Sequence, residues 1–357
     1  MSAHGGSSVG GLSQSDGILI AVSGAVLLGG GVLLKRTSRI TPTTALYTVF
    51  LGLALTAFGA ILFESFSPDP TYSAASIPFP RAWYTPISLV GGILIMVGSL
   101  VAGRLRWPDR PRYTFLGILL GAWISYPGIV PDVGSSSHPL GYLLVLGTPV
   151  LVGYIVWKDA STVLAAVLRD PVARRFGIGV GFLVGLFFMS VSGYLSFFWE
   201  EGAPHEMIVT VLPVTYQLVT WPMLEVWLPQ IPLLFAISPG HLIVVGLLSA
   251  LTGLNAAVVA SHWRAEERAG TTEGTAGTAA IVGSCTCGCC GPLVAKVAIL
   301  VAGPSVAAPL YWIFVDSASP LSSLFIVLSI ALFTGSLVYS VASARRRGQS
   351  TSIVPAD

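Results

Sequence analysis

Residues 17–34 read GILIAVSGAVLLGGGVLL, eighteen consecutive positions without a charge. A run of that length and character is enough to cross the hydrocarbon of a bilayer as a helix. Similar runs recur at 44–63, 86–103, 113–131, 140–157, 177–198 and 240–262, and again at 321–343. One or two further crossings are expected between 279 and 315. The whole chain matches this pattern: of its 357 residues 54% are hydrophobic and only 10% charged, and the mean hydropathy is +0.80. A soluble domain carries about 25% charged residues. This chain has too few charges to cover a water-facing surface, so a large soluble enzyme and a disordered tail are both excluded. The expected fold class is all-α, a polytopic helical bundle of about nine spans in the cell (cytoplasmic) membrane.

The first run has no Lys or Arg ahead of it in residues 1–16. It therefore lacks the basic n-region of a signal peptide and reads as a retained helix. Segment 203–239 is apolar but holds Pro204, Pro213, Pro222, Pro229, Pro232 and Pro239. Proline at that density breaks helical hydrogen bonding, and bare backbone is not tolerated in lipid. The segment is expected to form an outer cap of short helices, re-entrant or interfacial.

Charge distribution orients the spans. With the N-terminus outside and nine crossings, the inside loops hold Lys35, Arg36, Arg39, Arg104, Arg106, Arg110, Arg112, Lys158, Arg169, Arg174, Arg175, Arg264, Arg268 and Arg345–Arg347. That is sixteen of the eighteen basic residues, as the positive-inside rule requires of an N-out, C-in chain. The expected organisation is an outer tail at 1–16, a seven-span body at 17–262 and a cytoplasmic linker at 263–280. A C-terminal helical unit at 281–344 and an inner tail at 345–357 complete it. Trp83, Tyr84, Trp107, Trp157, Trp199 and Trp263 fall at expected helix ends, where amphipathic rings prefer the headgroup level. Residues 158–175 resemble a short amphipathic surface helix. Gly117 with Gly121, and Gly177, Gly181 and Gly185, are spaced for close helix approach.

The chemistry-bearing feature is Cys285-Thr286-Cys287-Gly288-Cys289-Cys290. It contains every cysteine in the chain. No distant partner exists, so a disulfide framework is excluded. Thiolates are soft ligands that favour Cu(I), Zn or Fe–S over hard cations. Four packed into six residues point to metal binding or thiol redox chemistry more than to packing, although cysteine also serves as a small hydrophobe. Lys296 follows six residues on, where an ammonium at membrane depth would lower a thiol pKa or reach the headgroups.

Gly283-Ser284, Cys289-Cys290-Gly291-Pro292-Leu293, Tyr311-Trp312, Pro320 and a last helix ending at Arg345–Arg347 resemble the mercuric-ion transport proteins. The resemblance covers about residues 279–347. It implies that Cys289 and Cys290 form a metal-accepting pair in a membrane helix. This chain adds Cys285 and Cys287, has no second downstream pair and carries a seven-span body that the family lacks.

On the outer side, His205, Glu206 and His241 could together form a mixed imidazole–carboxylate site suited to Zn or Cu(II), or be ordinary surface groups. Val209 stands where a zincin would need its second His. No nucleotide-binding or nucleophile-elbow motif is present, and no basic run is interleaved with aromatics as nucleic-acid binding would require. The expected partners are the lipid bilayer and a membrane-protein or metal-donor partner, with no nucleic acid and no nucleotide. Three functions are carried forward: a soft-metal binder or transporter, a membrane thiol-redox enzyme or subunit, and a non-catalytic assembly subunit.

Overall fold

The computed structural model describes residues 13–66, 80–130, 138–197, 206–229, 233–269 and 319–351. Eight helices dominate: α1 (Gln14–Arg36), α2 (Pro42–Ser65), α3 (Tyr84–Arg106), α4 (Pro111–Ile129), α5 (Pro139–Arg169), α6 (Pro171–Val191), α7 (Pro239–Ala269) and α8 (Pro320–Thr351). Six of them begin at a proline, whose fixed φ suits the first helical position and whose missing N–H costs nothing there. The caps are also local. Thr41 Oγ1 accepts from Thr44 N at 3.2 Å, and Asp170 Oδ1 accepts from Val172 N at 3.0 Å.

Seven of these helices are long and apolar enough to cross a membrane by composition, so the chain is a multi-pass helical membrane protein. Helix α4 is the exception. It carries Trp123, Ser125, Tyr126 and Pro127, and residues Trp123 to Tyr126 are all buried. These polar groups face other helices, not lipid, so the helix does not need uniform apolarity. The seven runs expected for the body correspond to α1–α7. The crossings expected between 279 and 315 lie outside the described residues.

Small residues set the packing of neighbouring helices. On α4, Gly121 lies against Met96 and Gly92 of α3, and Gly117 lies against Ser99. On α6, Gly177 faces Gly253 and Ala257 of α7, and Gly185 faces Ser249. Both expected glycine contacts are therefore present, each between antiparallel helices. The tightest pair has a different spacing. Gly17, Gly24 and Gly31 on α1 repeat every seven residues and meet Gly59, Gly52 and Thr48 on α2. A heptad of glycines keeps one seam of α1 bare, so the two backbones touch along their length.

The expected all-α class needs correction, because the proline-rich segment is a sheet. Strands β1 (Leu195–Phe197), β2 (Ile208–Tyr216), β3 (Val219–Leu228) and β4 (Leu233–Ile237) form one antiparallel sheet in the order β1-β4-β3-β2. Proline does exclude helix here, but β-branched residues at 208–211, 214–215 and 219–220 favour strand. Pro213 pairs with Pro222. Neither can donate, so the pair occupies a rung needing no hydrogen bond between its members. Pro213 then points its nitrogen to the free edge of β2. Pro222 lies past the end of β4, which pairs only as far as Leu224. Helix α6 stops at Val191, and Gly193 at φ 78° turns the chain into β1, so the run at 177–198 is part helix and part strand.

Two further expectations change. Residues 158–169 are not a separate surface helix but the last turns of α5, with Ala160, Leu164 and Val167 buried. Trp263 is not an exposed anchor: it is 1% exposed, under the ammonium of Lys35 at 5.1 Å. Trp83, Trp107 and Trp157 are exposed as expected.

The two ends of the bundle differ. At one, the α1–α2 turn, the α5–α6 junction and the end of α7 meet. Arg264 bonds Asp170 at 3.2 Å and Thr43 at 3.0 Å. Arg112 at the start of α4 grips Asp159 of α5 through Nε and Nη2, one edge of its guanidinium, and Tyr113 donates to the same carboxylate at 2.8 Å. The sheet sits at the opposite end.

Candidate functional site

The β2–β3 hairpin turns through Gln217 and Leu218, with Gln217 at φ 59°. Its tip is not solvated. Leu218, Val219 and Trp221 are buried among the ends of α5 and α7, because two glycines leave room. Val219 Cγ1 lies 2.5 Å from where a Cβ on Gly141 would stand, and Trp221 Nε1 lies 2.5 Å from the same point on Gly240. Tyr142 of α5 donates its hydroxyl to the Thr220 carbonyl at 2.7 Å and meets the Trp221 ring edge-on at 5.0 Å.

Beneath this tip lies His241, fully buried in the first turn of α7. The sequence Ser238-Pro239-Gly240-His241 places the Ser238 hydroxyl 2.6 Å from His241 Nδ1, and the same oxygen accepts the His241 N–H at 3.4 Å. Ser238 thus caps the helix through its hydroxyl, and the imidazole rests against that same hydroxyl. The rings of Tyr194 and Tyr216 lie 3.5 and 3.7 Å from the imidazole, centroid to centroid. Burial pushes the Tyr194 phenol up to about 12, because the phenolate would lose hydration with no cation to replace it. His241 Nε2 and Trp221 Nε1 are buried with no hydrogen-bond partner among the described residues.

The sequence-derived ligands fare differently. His241 is placed as above, and Glu206 is exposed just ahead of β2. Tyr216, which touches His241, is at the far end of that strand. Nine extended residues span roughly 26 Å between their end Cα atoms, so Glu206 and His241 are not brought together. His205, Cys285, Cys287, Cys289, Cys290 and Lys296 lie outside the described residues. Among the described residues no three His, Cys, Asp or Glu side chains gather closely enough to hold a metal ion. One imidazole nitrogen does not close a coordination shell, so the His241 cluster by itself is a buried polar joint between sheet and helices. Ser238, Tyr194, Tyr216 and Trp221 were missed by sequence reading. The Ser-x-x-His spacing at the start of an apolar run was the available signal.

The last helix is part of the same body. Asn255 in the middle of α7 donates to the Phe333 carbonyl of α8 at 3.1 Å and to Leu251 O at 2.8 Å. Ile330, Phe333, Leu337 and Val341 of α8 are buried in the common core. No protein-family model matches this chain, and no curated protein or solved structure shows significant similarity to it.

Proposed function

We propose that this multi-pass membrane protein binds or moves a soft metal ion through Cys285, Cys287, Cys289 and Cys290. The observation that carries the reading is the confinement of every thiol in the chain to six consecutive residues. Packing alone gives cysteines no reason to gather, whereas a thiolate clamp for a low-coordinate soft ion needs them adjacent. The resemblance of residues 279–347 to mercuric-ion transport proteins supports the same chemistry. Lys296 acts as an electrostatic modulator of the thiols.

The arrangement proposed is nine spans in the cytoplasmic membrane with the N-terminus outside. The support is charge: Lys35, Arg112 and Arg264 all make their contacts at one end of the bundle, and the positive-inside rule makes that end cytoplasmic.

Elemental analysis of purified wild-type protein and of the C285S/C287S/C289S/C290S variant tests the reading. The expected result is stoichiometric copper, zinc or mercury in the wild type after loading, and none in the variant. Equal, near-zero metal in both overturns it. Thiols that change state under oxidant without bound metal would favour the membrane thiol-redox reading instead.

A further inference from the structure

Helix α3 lies at the periphery of the bundle and presents one continuous apolar stripe outward. Val90, Leu94, Val97, Val101 and Leu105 are all exposed, at the three- and four-residue spacing of a single helical face. Leu105, at the last turn, is 82% exposed. Within the stripe Gly98 is exposed, and nothing lies within 4 Å of where its Cβ would be. Leu94, Gly98, Val101 and Leu105 are in line, so the glycine makes a notch in an otherwise raised ridge.

The stripe ends in cations. Arg104 and Arg106 flank Leu105, about 100° to either side of it around the helix, and Arg110 follows in the turn to α4. All three are exposed. Arg104 and Arg106 have no ion-pair or hydrogen-bond partner among the described residues. Arg110 reaches the Tyr113 hydroxyl at 3.4 Å and contributes its charge to the field at Asp159. The Asp159 carboxylate nearby is already held by Arg112 and Tyr113. The one acid in the turn is Asp109. Trp107, 44% exposed, packs edge-on to Tyr113 at 5.9 Å, at the depth where indole prefers the headgroup region. The carbonyl end of the α3 dipole adds no positive charge of its own, so any attraction for an anion comes from the guanidinium groups.

We propose that this end of α3 is a binding site for an anionic phospholipid. The phosphate lies among Arg104, Arg106 and Arg110, and an acyl chain runs along the stripe and settles over Gly98. Complementarity on two counts selects that occupant: exposed cations meet the headgroup, and a notched apolar ridge meets the chain. A soluble anion would use only the first, and a neutral lipid only the second. The site is independent of the cysteine chemistry proposed above.

The test is native mass spectrometry of the full chain, titrated in detergent with phosphatidylglycerol and with phosphatidylcholine of equal acyl length. Wild-type protein should bind phosphatidylglycerol more tightly. The R104Q/R106Q variant should lose about fivefold of that preference per arginine, the weight of one surface cation against an anionic headgroup. Phosphatidylcholine binding should not change. R104K/R106K, which keeps the charges, should keep the preference, and Gly98→Leu should weaken both lipids alike by filling the notch. Equal binding of the two lipids by the wild type, or an undiminished preference in R104Q/R106Q, overturns the headgroup site. Unchanged binding in Gly98→Leu overturns the acyl path.

Discussion

Trp221 rests its indole Nε1 2.5 Å from the point where a Cβ on Gly240 would stand. The sheet and the central helix are thus fitted together at a position where only glycine has room. Trp221 is buried, so it has no open space into which to swing aside for a methyl group. Gly240→Ala should therefore destabilise the protein by about 1–3 kcal/mol, the usual cost of overpacking. It should also loosen the hairpin, seen as faster proteolysis within 206–229. Wild-type melting and proteolysis in this variant would refute the fit.

The glycine heptad makes a paired prediction. Beside Gly24 a Cβ would strike the Thr56 backbone and lie 2.7 Å from the Gly52 carbonyl, whereas beside Gly30 nothing lies within 4 Å. Backbone cannot move out of the way as a side chain can. Gly24→Leu should separate α1 from α2 and lower the melting temperature in detergent clearly. Gly30→Leu should stay within about 0.5 kcal/mol of wild type. Similar melting of the two variants would show that the heptad seam does not hold the pair.

Asn255 tests how α8 is held. Its Nδ2 bridges Leu251 O on its own helix and Phe333 O on α8. Interhelical hydrogen bonds in membranes contribute about 0.6–2 kcal/mol. Asn255→Ala should cost an amount in that range and raise hydrogen–deuterium exchange along α8, leaving α1 and α2 as they were. Exchange in α8 equal to wild type would mean that apolar packing holds it without the carboxamide.

Asp159 accepts from Arg112 and from Tyr113, and its side chain is 10% exposed. Asp159→Ala would leave a guanidinium and a phenol without their acceptor. The expected loss is about 1–3 kcal/mol, the cost of stranding such groups. The more exposed Arg264–Asp170 pair, with side chains 25% and 12% exposed, should lose at most about 1 kcal/mol in Arg264→Ala. Thermal melting of the two variants side by side checks the order. A reversed order would contradict the burial argument.

Tyr194 carries a pH dependence. Its phenol is held up to about 12 in the folded chain by burial, against about 10 when unfolded. The folded state therefore keeps its proton over the interval where the unfolded state has lost it. The associated stability is complete below pH 10 and falls as the pH rises from about 10 to 12. Tyr194→Phe should remove that part of the alkaline slope of a stability-versus-pH curve. An unchanged slope would place the phenol in contact with water.

The sequence was most legible where lipid imposes a simple demand. A span must be long and apolar whatever it packs against, so the runs behind α1–α7 and the start of α8 could be read without knowing their neighbours. Glycine contacts at 117–121 and 177–185 were legible for a related reason, since small residues on one helical face serve only close approach. The cap was harder to read. Its prolines exclude helix, but strand pairing depends on partners distant in sequence: β1 pairs with β4, Leu195 opposite Phe235. Local pattern has no access to that register. His241 looked like one of several outer-face polar groups, and only its enclosure by Tyr194 from one strand end and Tyr216 from another makes it a buried joint.

By itself, then, the chain's composition determined a bilayer-spanning protein, the apolar runs long enough to cross and the gathering of its thiols, because each is a property of consecutive residues in a given solvent. Tertiary structure decided that the proline-rich segment is a sheet, that Trp263 faces Lys35 and not lipid, and that α4 can carry polar groups inside the bundle. Those outcomes depend on which surfaces meet. That depends on contacts between residues far apart in sequence, which no single segment encodes.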